Sequence, residues 1–223
     1  MKITAVIPVR KGSQRVKNKN TKPFADTTLL DLKIQVMKQV HGLDAIIVNT
    51  NCETCMSIAK NHNIETHKRK EYFASSQAKN SEYWTHIAEV TNTDVLVMAE
   101  VTNPMVRVSS YEQAIIDYIK TKDQYTSAMS VSSQKQFLWQ DRSPINYDYY
   151  KTPNSQDLPN IVSLNFAITI SSKQEILKTG NVVSTSPKFI ELDSIQSIDI
   201  DTPVDFEYAE FIYKKQGFKW LLS

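Results

Sequence analysis

The spacing of apolar residues switches repeatedly along the chain, and this predicts strands that alternate with helices. Short apolar runs bounded by polar residues predict buried strands at Ile3–Val9, Ala45–Thr50, Asp94–Ala99, Thr126–Val131, Ile161–Ile170 and around Ser194–Asp199. Apolar residues three or four positions apart predict helices at Leu29–Val40, Glu53–Asn63, Ser110–Thr121 and from about Pro203 to Lys215. Repeated strand–helix units predict an α/β fold with a mostly parallel sheet flanked by helices.

The segment Phe137–Pro159 interrupts this alternation because it is aromatic, polar and rich in turn residues. We interpret it as a projecting hairpin or arm, residues 137–159, inserted in a single domain that spans residues 1–223. Its exposed aromatic residues need a partner surface, which a symmetric homodimer would provide. An arm folded back on its own domain is the alternative. The aromatic residues concerned are Phe137, Trp139, Tyr147, Tyr149 and Tyr150.

The charge balance argues against a nucleic-acid-binding protein. There are 26 basic and 24 acidic residues among 223, for a formal net charge of +2, whereas a nucleic-acid surface normally has a clear basic excess. No run approaches the roughly 20 apolar residues of a spanning helix, so no membrane association is predicted. The N-terminal apolar run meets Arg10 and Lys11 without a cleavage pattern. A cytoplasmic location is therefore expected.

The two cysteines of the chain form a C-E-T-C motif, Cys52 and Cys55, between a predicted strand and a predicted helix. A thioredoxin-like redox pair occurs in such a context. A single CxxC cannot supply four zinc ligands, and helical spacing turns Cys55 inward with Ile58 and Ala59. We favour a buried structural role and keep the oxidoreductase as a competing hypothesis, which loss of dithiol activity in Cys52→Ser would support.

A polar, basic loop follows the first predicted strand, in the sequence I-P-V-R-K-G-S-Q-R-V-K-N-K-N. Gly12 permits a tight turn with exposed backbone amides, and Ser13 adds a hydroxyl donor. Arg10 offers a bidentate fork for phosphate oxygens, and Lys19 offers a point charge. The spacing matches neither a Walker A loop nor a dinucleotide fingerprint. The pattern suits a triphosphate, and a solvated basic loop is the alternative.

A pair of carboxylates is the second candidate feature, in the sequence S-I-D-I-D-T-P-V-D-F. In a strand Asp199 and Asp201 would share one face, while Ile198 and Ile200 faced the core. Mg²⁺ prefers one or two carboxylates together with waters and phosphate oxygens. Helix capping explains Thr202 and the residues after it, but it leaves Asp199 unexplained.

Four segments are expected to meet at one edge of the sheet, because ligands of open α/β sheets bind beyond the carboxyl ends of the strands. These segments are Arg10–Lys22, Asn49–Asn51, Glu100–Arg107 and Asp199–Asp201.

The loop with Pro8, Arg10, Gly12-Ser13 and Lys19-Asn20, together with I-D-I-D-T, resembles the CMP-sialic acid synthetase (acylneuraminate cytidylyltransferase) family. The resemblance implies a Rossmann-like nucleotidyltransferase fold, CTP as substrate and Mg²⁺ held by Asp199 and Asp201. It implies that Arg10 and Lys19 hold the CTP phosphates and act in catalysis with the two aspartates. The other implied nucleotide contacts are Val9, Asn20, Arg69 and Asn80, and the implied acceptor contacts are Glu100, Thr102, Asn103, Gln156, Asp157 and Asn165.

The chain departs from the family pattern mainly on the acceptor side. Asn51 stands where the family has an aspartate, Ser76-Gln77 replaces an Asp-Thr/Ser pair, Glu100 replaces a glutamine and Phe166 replaces a glycine. A carboxylate at Glu100 would repel an acidic sugar unless it were protonated, turned away or paired with a cation. The expected acceptor is an acidic nonulosonic sugar. A 3-deoxy-octulosonic acid, a phosphonate, or a catalytically silent nucleotide-binding protein are the alternatives.

Overall fold

The computed structural model describes residues 1–223 and contains eleven strands and eight α-helices. The strands are β1 Ile3–Pro8, β2 Pro23–Phe24, β3 Thr27–Thr28, β4 Ala45–Thr50, β5 Glu65–Lys68, β6 Val95–Met98, β7 Ser127–Gln134, β8 Trp139–Gln140, β9 Ser143–Pro144, β10 Ile161–Ser172 and β11 Pro187–Glu191. The helices are α1 Leu29–Met37, α2 Glu53–Asn61, α3 Glu71–Ala74, α4 Asn80–Val90, α5 Val108–Thr121, α6 Lys173–Thr179, α7 Pro203–Gln216 and α8 Phe218–Leu221.

A seven-stranded sheet in the order β11-β7-β10-β6-β1-β4-β5 forms the centre of the fold. All its neighbouring pairs are parallel except the two made by β10, which runs antiparallel to β6 and β7. Strand β1 is buried along its whole length because sheet neighbours and helices cover it on both faces. The expected α/β architecture with a mostly parallel sheet flanked by helices is confirmed.

Hydrophobic side chains pack on both faces of the sheet. One cluster contains 38 buried residues from β1, α1, α5 and α7 among other elements, and a second cluster of seven lies beneath α4 and α6. Helix α1 begins at a Thr28 cap, whose hydroxyl accepts the Asp31 amide at 3.1 Å. Helix α7 begins with a capping box between Thr202 and Asp205. No helix of the structure has both the length and the apolar character needed to cross a membrane.

Most predicted strands and helices are present within one to three residues of their predicted ends, but the strand predicted around Ser194–Asp199 is wrong. Residues 194–197 form a turn, and residues 198–200 have neither regular secondary structure nor a sheet partner. The Asp193 carboxylate accepts the amides of Ile195 and Gln196 at 3.0 and 2.9 Å, so a local turn replaces a sheet ladder. The alternation predicted for the next residues remains, since Ile198 and Ile200 are buried and Asp199 is exposed.

The inserted segment 137–159 lies between β7 and β10 and contains the short β8–β9 hairpin. Asp141 and Arg142, at the turn, both have positive φ. Neighbouring aromatic rings of the segment contact one another edge to face, as in Phe137–Tyr147 with centroids 5.0 Å apart. Tyr150 is nevertheless 92% exposed. The homodimer expected for this segment stays a prediction.

Candidate active site

A cleft of about 380 Å³ lies at the carboxyl edge of the parallel strands, where β1 and β6 end. The basic loop forms one wall, and Arg69, Tyr83 and the residues after β6 form the others. Eight of the residues predicted as site residues line this cleft: Val9, Arg10, Ser13, Lys19, Asn20, Arg69, Glu100 and Thr102. The open-sheet rule therefore locates the cleft correctly.

The basic loop is held in place by backbone contacts at both of its ends. The Val9 amide donates to Asn49 O at 3.1 Å, which ties the start of the loop to strand β4. Asn20 is buried and its Nδ2 donates to Arg10 O at 3.2 Å, which ties the end of the loop to its beginning. Gly12 has φ of 85°, a left-handed conformation that glycine adopts without strain, and it borders a small cavity on the other side of the loop.

Three cationic side chains of the loop line the cleft. The Arg10 guanidinium donates to Ala74 O at 2.7 Å, and the Lys19 ammonium donates to Ile200 O. Arg15, which was not singled out as a site residue, forms an ion pair with Asp201 at 2.7 Å. Partial burial lowers the pKa of Lys19, and the nearby Asp201 and Asp199 oppose that shift. The loop cations and the aspartate segment therefore meet, although most of the chain separates them in sequence.

The aspartate segment is fixed by hydrogen bonds on both sides. Ile200 N donates to Thr102 O at 2.9 Å, and Asp201 N donates to Asp205 Oδ2 at 3.0 Å. Desolvation raises the pKa of Asp199 and the neighbouring Asp201 adds to this, while a hydrogen bond with Thr102 opposes it. Asp205 is occupied as the helix cap, as expected.

The donor set at this point fits a magnesium ion that is bound jointly with a triphosphate. Asp199 and Asp201 are two carboxylates beside a cationic cleft, and no group of three His, Cys, Asp or Glu side chains is present that could enclose an ion alone. Mg²⁺ takes one or two protein carboxylates and completes its shell with waters and phosphate oxygens. The mutual repulsion of two close carboxylates also favours a cation between them.

Another wall of the cleft is formed by a buried polar network. The Arg69 Nε donates to Asn49 Oδ1 at 2.7 Å, and its Nη2 donates to Asn49 O at 3.1 Å and to the Tyr83 hydroxyl. The Arg69 guanidinium also stacks on the Tyr83 ring at 4.1 Å. Tyr83 was missed from the sequence because it lies on helix α4, which was not predicted. Asn49 could be noticed in the sequence, because it is a polar residue near the end of an otherwise apolar strand.

Glu100 lies in the cleft directly after β6 and makes no ion pair with a protein cation. Burial raises its pKa to about 7, Asp199 adds to the shift, and Arg69 and Lys33 oppose it. A carboxyl group in this state can accept hydrogen bonds from ligand hydroxyls, or donate one when it is protonated.

The other predicted site residues lie outside the cleft lining. Asn103 is buried and its Nδ2 donates to Ile198 O at 3.2 Å. Asn165 Nδ2 bonds to Ser132 at 2.9 Å and to Ser197 at 3.4 Å. Three others are exposed: Asn80 at the start of α4, and Gln156 and Asp157 in a 3₁₀ turn. The structure thus brings Glu100 and Thr102 together, but not the later acceptor candidates.

The cysteine pair lies on the far side of the basic loop. Cys55 is buried with Ala59 on the inner face of α2, as predicted, and burial raises the pKa of its thiol to about 12. Such a thiol is a poor nucleophile at neutral pH.

A mostly parallel α/β sheet with a cationic phosphate-type loop and a carboxylate pair at its carboxyl edge is the arrangement of a nucleotide-binding protein. A family model described as cytidylyltransferase matches residues 4–216, so the chain belongs to the cytidylyltransferase family.

Two curated relatives have similar sequences. An N-acylneuraminate cytidylyltransferase of Escherichia coli O18:K1:H7 is 29% identical over 227 residues, which cover 97% of this chain and 53% of that protein. A CMP-N,N'-diacetyllegionaminic acid synthase of Legionella pneumophila is 27% identical and is covered to 95%, with 94% of this chain. The chain spans about half the length of the first three curated relatives that it matches.

Solved structures share the fold at low sequence identity. The structure of a CMP:2-keto-3-deoxy-manno-octonic acid synthetase complexed with CTP has a TM-score of 0.72 at 13% identity, covering 97% of this chain and all of that chain. A 4-diphosphocytidyl-2C-methyl-D-erythritol synthase from Anaerococcus prevotii has a TM-score of 0.69 at 12% identity, with 96% and 98% covered.

Proposed function

We propose that the protein transfers CMP from CTP to an acidic sugar of the nonulosonic acid class and releases pyrophosphate. The observation that supports this most directly is the hydrogen bond from Lys19, which lines the cleft, to Ile200 O of the Asp199–Asp201 segment beside it. A cytidylyltransferase needs cations for a triphosphate and carboxylates for a divalent ion at the same place. The names of the E. coli and Legionella relatives support the choice of acceptor class.

In this proposal the basic loop binds the triphosphate. Arg10 and Lys19 contact phosphate oxygens, Arg15 exchanges its ion pair with Asp201 for a phosphate contact, and Gly12 and Ser13 supply backbone amides and a hydroxyl. The Arg69–Asn49–Tyr83 network forms another wall of the same cleft and suits the cytosine and ribose. Asn20 acts by holding the loop closed through Arg10 O.

Asp199 and Asp201 would hold Mg²⁺, which supplies charge neutralisation on the phosphates when bound. The acceptor hydroxyl oxygen forms a bond to the α-phosphorus of CTP, the bond to the bridging oxygen breaks, and pyrophosphate leaves with that oxygen while the hydroxyl proton is released. The side chains of the chain contribute by orienting the two substrates and by balancing the developing negative charge.

The acceptor is proposed to enter beside Glu100 and Thr102. Because a Glu100 carboxylate repels a carboxylate of the acceptor, we expect an acceptor hydroxyl to face Glu100 and the acceptor's acid group to point toward the cations.

The proposal also includes a cytoplasmic location, where CTP is available. It further includes a homodimer that is formed through the segment 137–159. Sedimentation of the purified protein tests the dimer.

The decisive experiment measures pyrophosphate release from CTP and Mg²⁺ against a panel of sialic acids, other nonulosonic acids, 3-deoxy-octulosonic acid and phosphonates. We expect turnover with at least one acidic sugar. Asp199→Asn and Asp201→Asn should each lower turnover by about 10²–10³-fold, by analogy with the loss of one transition-state contact. Asp123→Asn provides a control for the loss of one negative charge, because Asp123 is exposed and lies between α5 and β7, outside the cleft lining.

Wild-type turnover in both aspartate variants would exclude the metal role. Binding of CTP in calorimetry without pyrophosphate release from any acceptor of the panel would instead identify a silent nucleotide-binding protein.

A further inference from the structure

A fully buried lysine lies beneath the active-site cleft on helix α1. Lys33 is only 1% exposed and occupies a position on the inner face of the sequence L-L-D-L-K-I-Q-V-M, where Leu29, Leu30 and Ile34 are also buried. Lysine is almost never fully buried unless its ammonium group is paired. The proposed transfer of CMP does not use this residue.

The Lys33 ammonium connects helix α1 with two other parts of the site. It donates to Asn103 O at 2.9 Å and to the Tyr111 hydroxyl of helix α5 at 2.8 Å. The Tyr111 hydroxyl donates in turn to Ala167 O of β10 at 3.2 Å. Lys33 therefore holds the backbone of the segment Glu100–Asn103, which forms one wall of the cleft, against the core.

The same segment holds the two aspartates. Thr102 O accepts the Ile200 amide at 2.9 Å, and Asn103 Nδ2 donates to Ile198 O at 3.2 Å. The backbone on both sides of Asp199 is thus bonded to residues whose own position depends on Lys33. Because this part of the chain has no strand partner, these contacts take the place of a sheet ladder.

A buried ammonium is an expensive way to anchor a loop. Burial lowers the pKa of Lys33 to about 7, and the negative charge of Glu100 opposes the shift. Buried ionic groups are often replaced by apolar residues, together with their partners, without loss of stability. Folding alone therefore does not require an ammonium group in this core, and its hydrogen bonds to Asn103 O and the Tyr111 hydroxyl point to a requirement of the site.

We propose that Lys33 is a positioning residue, which holds Glu100–Asn103 and through it the Asp199–Asp201 segment in the geometry that acceptor binding and transfer require. This inference rests on the proposed cytidylyl transfer. Lys33 makes no hydrogen bond or ion pair with the basic loop, so we expect the binding of metal-free CTP to that loop to depend on it much less than acceptor binding does. Replacing Lys33 should affect the acceptor and the turnover number, and not the affinity for CTP.

The test uses Lys33→Met, which keeps an unbranched side chain as far as Cε and removes the ammonium group, and Tyr111→Phe, which removes one of the partners of Lys33. Lys173→Met is the matched control, because the Lys173 ammonium also donates to a backbone carbonyl, Thr91 O, at 3.0 Å. This contact lies where β6 begins, at the edge of the sheet opposite the cleft. For each variant we would measure KM and kcat with the acceptor found active for the wild type, the CTP affinity by calorimetry without a divalent ion, and Tm.

For Lys33→Met we expect kcat/KM for the acceptor to fall by about 10–100-fold, as is usual when a residue supporting a site is lost. Its CTP affinity should change by less than about threefold, and its Tm should stay within about 4 °C of the wild type. Tyr111→Phe should show a smaller loss of the same kind, with less than additive effects in the double variant. Lys173→Met should retain wild-type kinetics.

An unchanged acceptor kcat/KM in Lys33→Met would overturn the proposal, and so would an equal loss of CTP affinity or a kinetic loss matched by Lys173→Met. If the wild type itself releases no pyrophosphate with any acceptor, the proposed function fails first. The Lys33 inference then fails with it. If instead the wild type is active and Lys33→Met is equally active, only the Lys33 inference fails.

Discussion

The role of Lys19 can be tested most sharply by Lys19→Met. The ammonium group of Lys19 donates to Ile200 O and lies near Asp199 and Asp201, so it stands between the basic loop and the aspartate segment. Methionine keeps the unbranched stem and removes the charge. Lys17→Met is the matched control, because Lys17 belongs to the same loop and is exposed.

The expected loss follows from the bond that Lys19 offers to a phosphate. A hydrogen bond to a charged group contributes about 1.5–3 kcal/mol, which corresponds to a rise of about 10- to 150-fold in the Kd for CTP. If the contact strengthens in the transition state, kcat falls further, by about 10²–10³-fold. The loss of the bond to Ile200 O lowers the free energy of unfolding by about 1 kcal/mol. Removing a partly desolvated charge raises it, so the two effects oppose each other and Tm should change by less than about 4 °C.

Calorimetry with CTP, a pyrophosphate-release assay and thermal unfolding provide these three quantities for both variants. An unchanged CTP affinity in Lys19→Met would refute the phosphate role. An equal loss in Lys17→Met would show that only the general positive charge of the loop matters. Added salt should reduce the effect of Lys17→Met before that of Lys19→Met, since the exposed charge is screened first.

Three further predictions concern other walls of the cleft. Burial raises the pKa of Glu100 from 4.5 to about 7. The folded protein therefore holds this proton more tightly than the unfolded chain does, and the resulting stabilisation is complete below about pH 4.5. It is lost as the pH rises through about 7. Glu100→Gln should therefore raise the free energy of unfolding at pH 8 by about 1–3 kcal/mol and leave it unchanged near pH 4, as denaturant titrations at both pH values would show. Gly12→Ala has room for its methyl group but must keep φ at 85°, so its free energy of unfolding should fall by about 1–2 kcal/mol. Gly12→Asn should lose less, because asparagine adopts positive φ more readily than alanine. Equal Tm values for the two variants would contradict this reasoning. Tyr83→Phe removes the hydroxyl that bonds Arg69 and Asn49 and should weaken CTP binding by about 10-fold, whereas the exposed Tyr72→Phe should not.

The α/β architecture and much of the cleft were predictable from local patterns. The runs Ile3–Val9 and Ala45–Thr50 are apolar throughout because these strands are covered on both faces, and the open-sheet rule then locates the ligand edge. Helix α4 and strand β5 were missed. Strand β5, Glu65–Lys68, lies at the edge of the sheet and is largely polar. It therefore lacks the alternation of apolar and polar residues that marks a strand in the sequence.

The aspartate segment shows where local reasoning fails. The alternation of Ile198, Asp199 and Ile200 suggested a strand, but a strand also needs a partner with free backbone groups, and the alternation does not reveal one. The Asp193 turn and the bonds of Ile198 O and Ile200 N to the segment Glu100–Asn103 decide the backbone there. The alternating burial of Ile198, Asp199 and Ile200 was nevertheless predicted correctly.

The amino-acid sequence by itself determines which elements form and which chemical groups the protein possesses, because hydrophobic period, caps and turn residues act over a few positions. Arg10, Gly12, Lys19 and the two aspartates were identifiable in this way. Only the tertiary structure decides that Arg15 pairs with Asp201, that Tyr83 meets Arg69, and that Lys33 supports the cleft from below. These contacts join residues far apart in the chain, and their geometry depends on how whole elements pack, which no local pattern encodes.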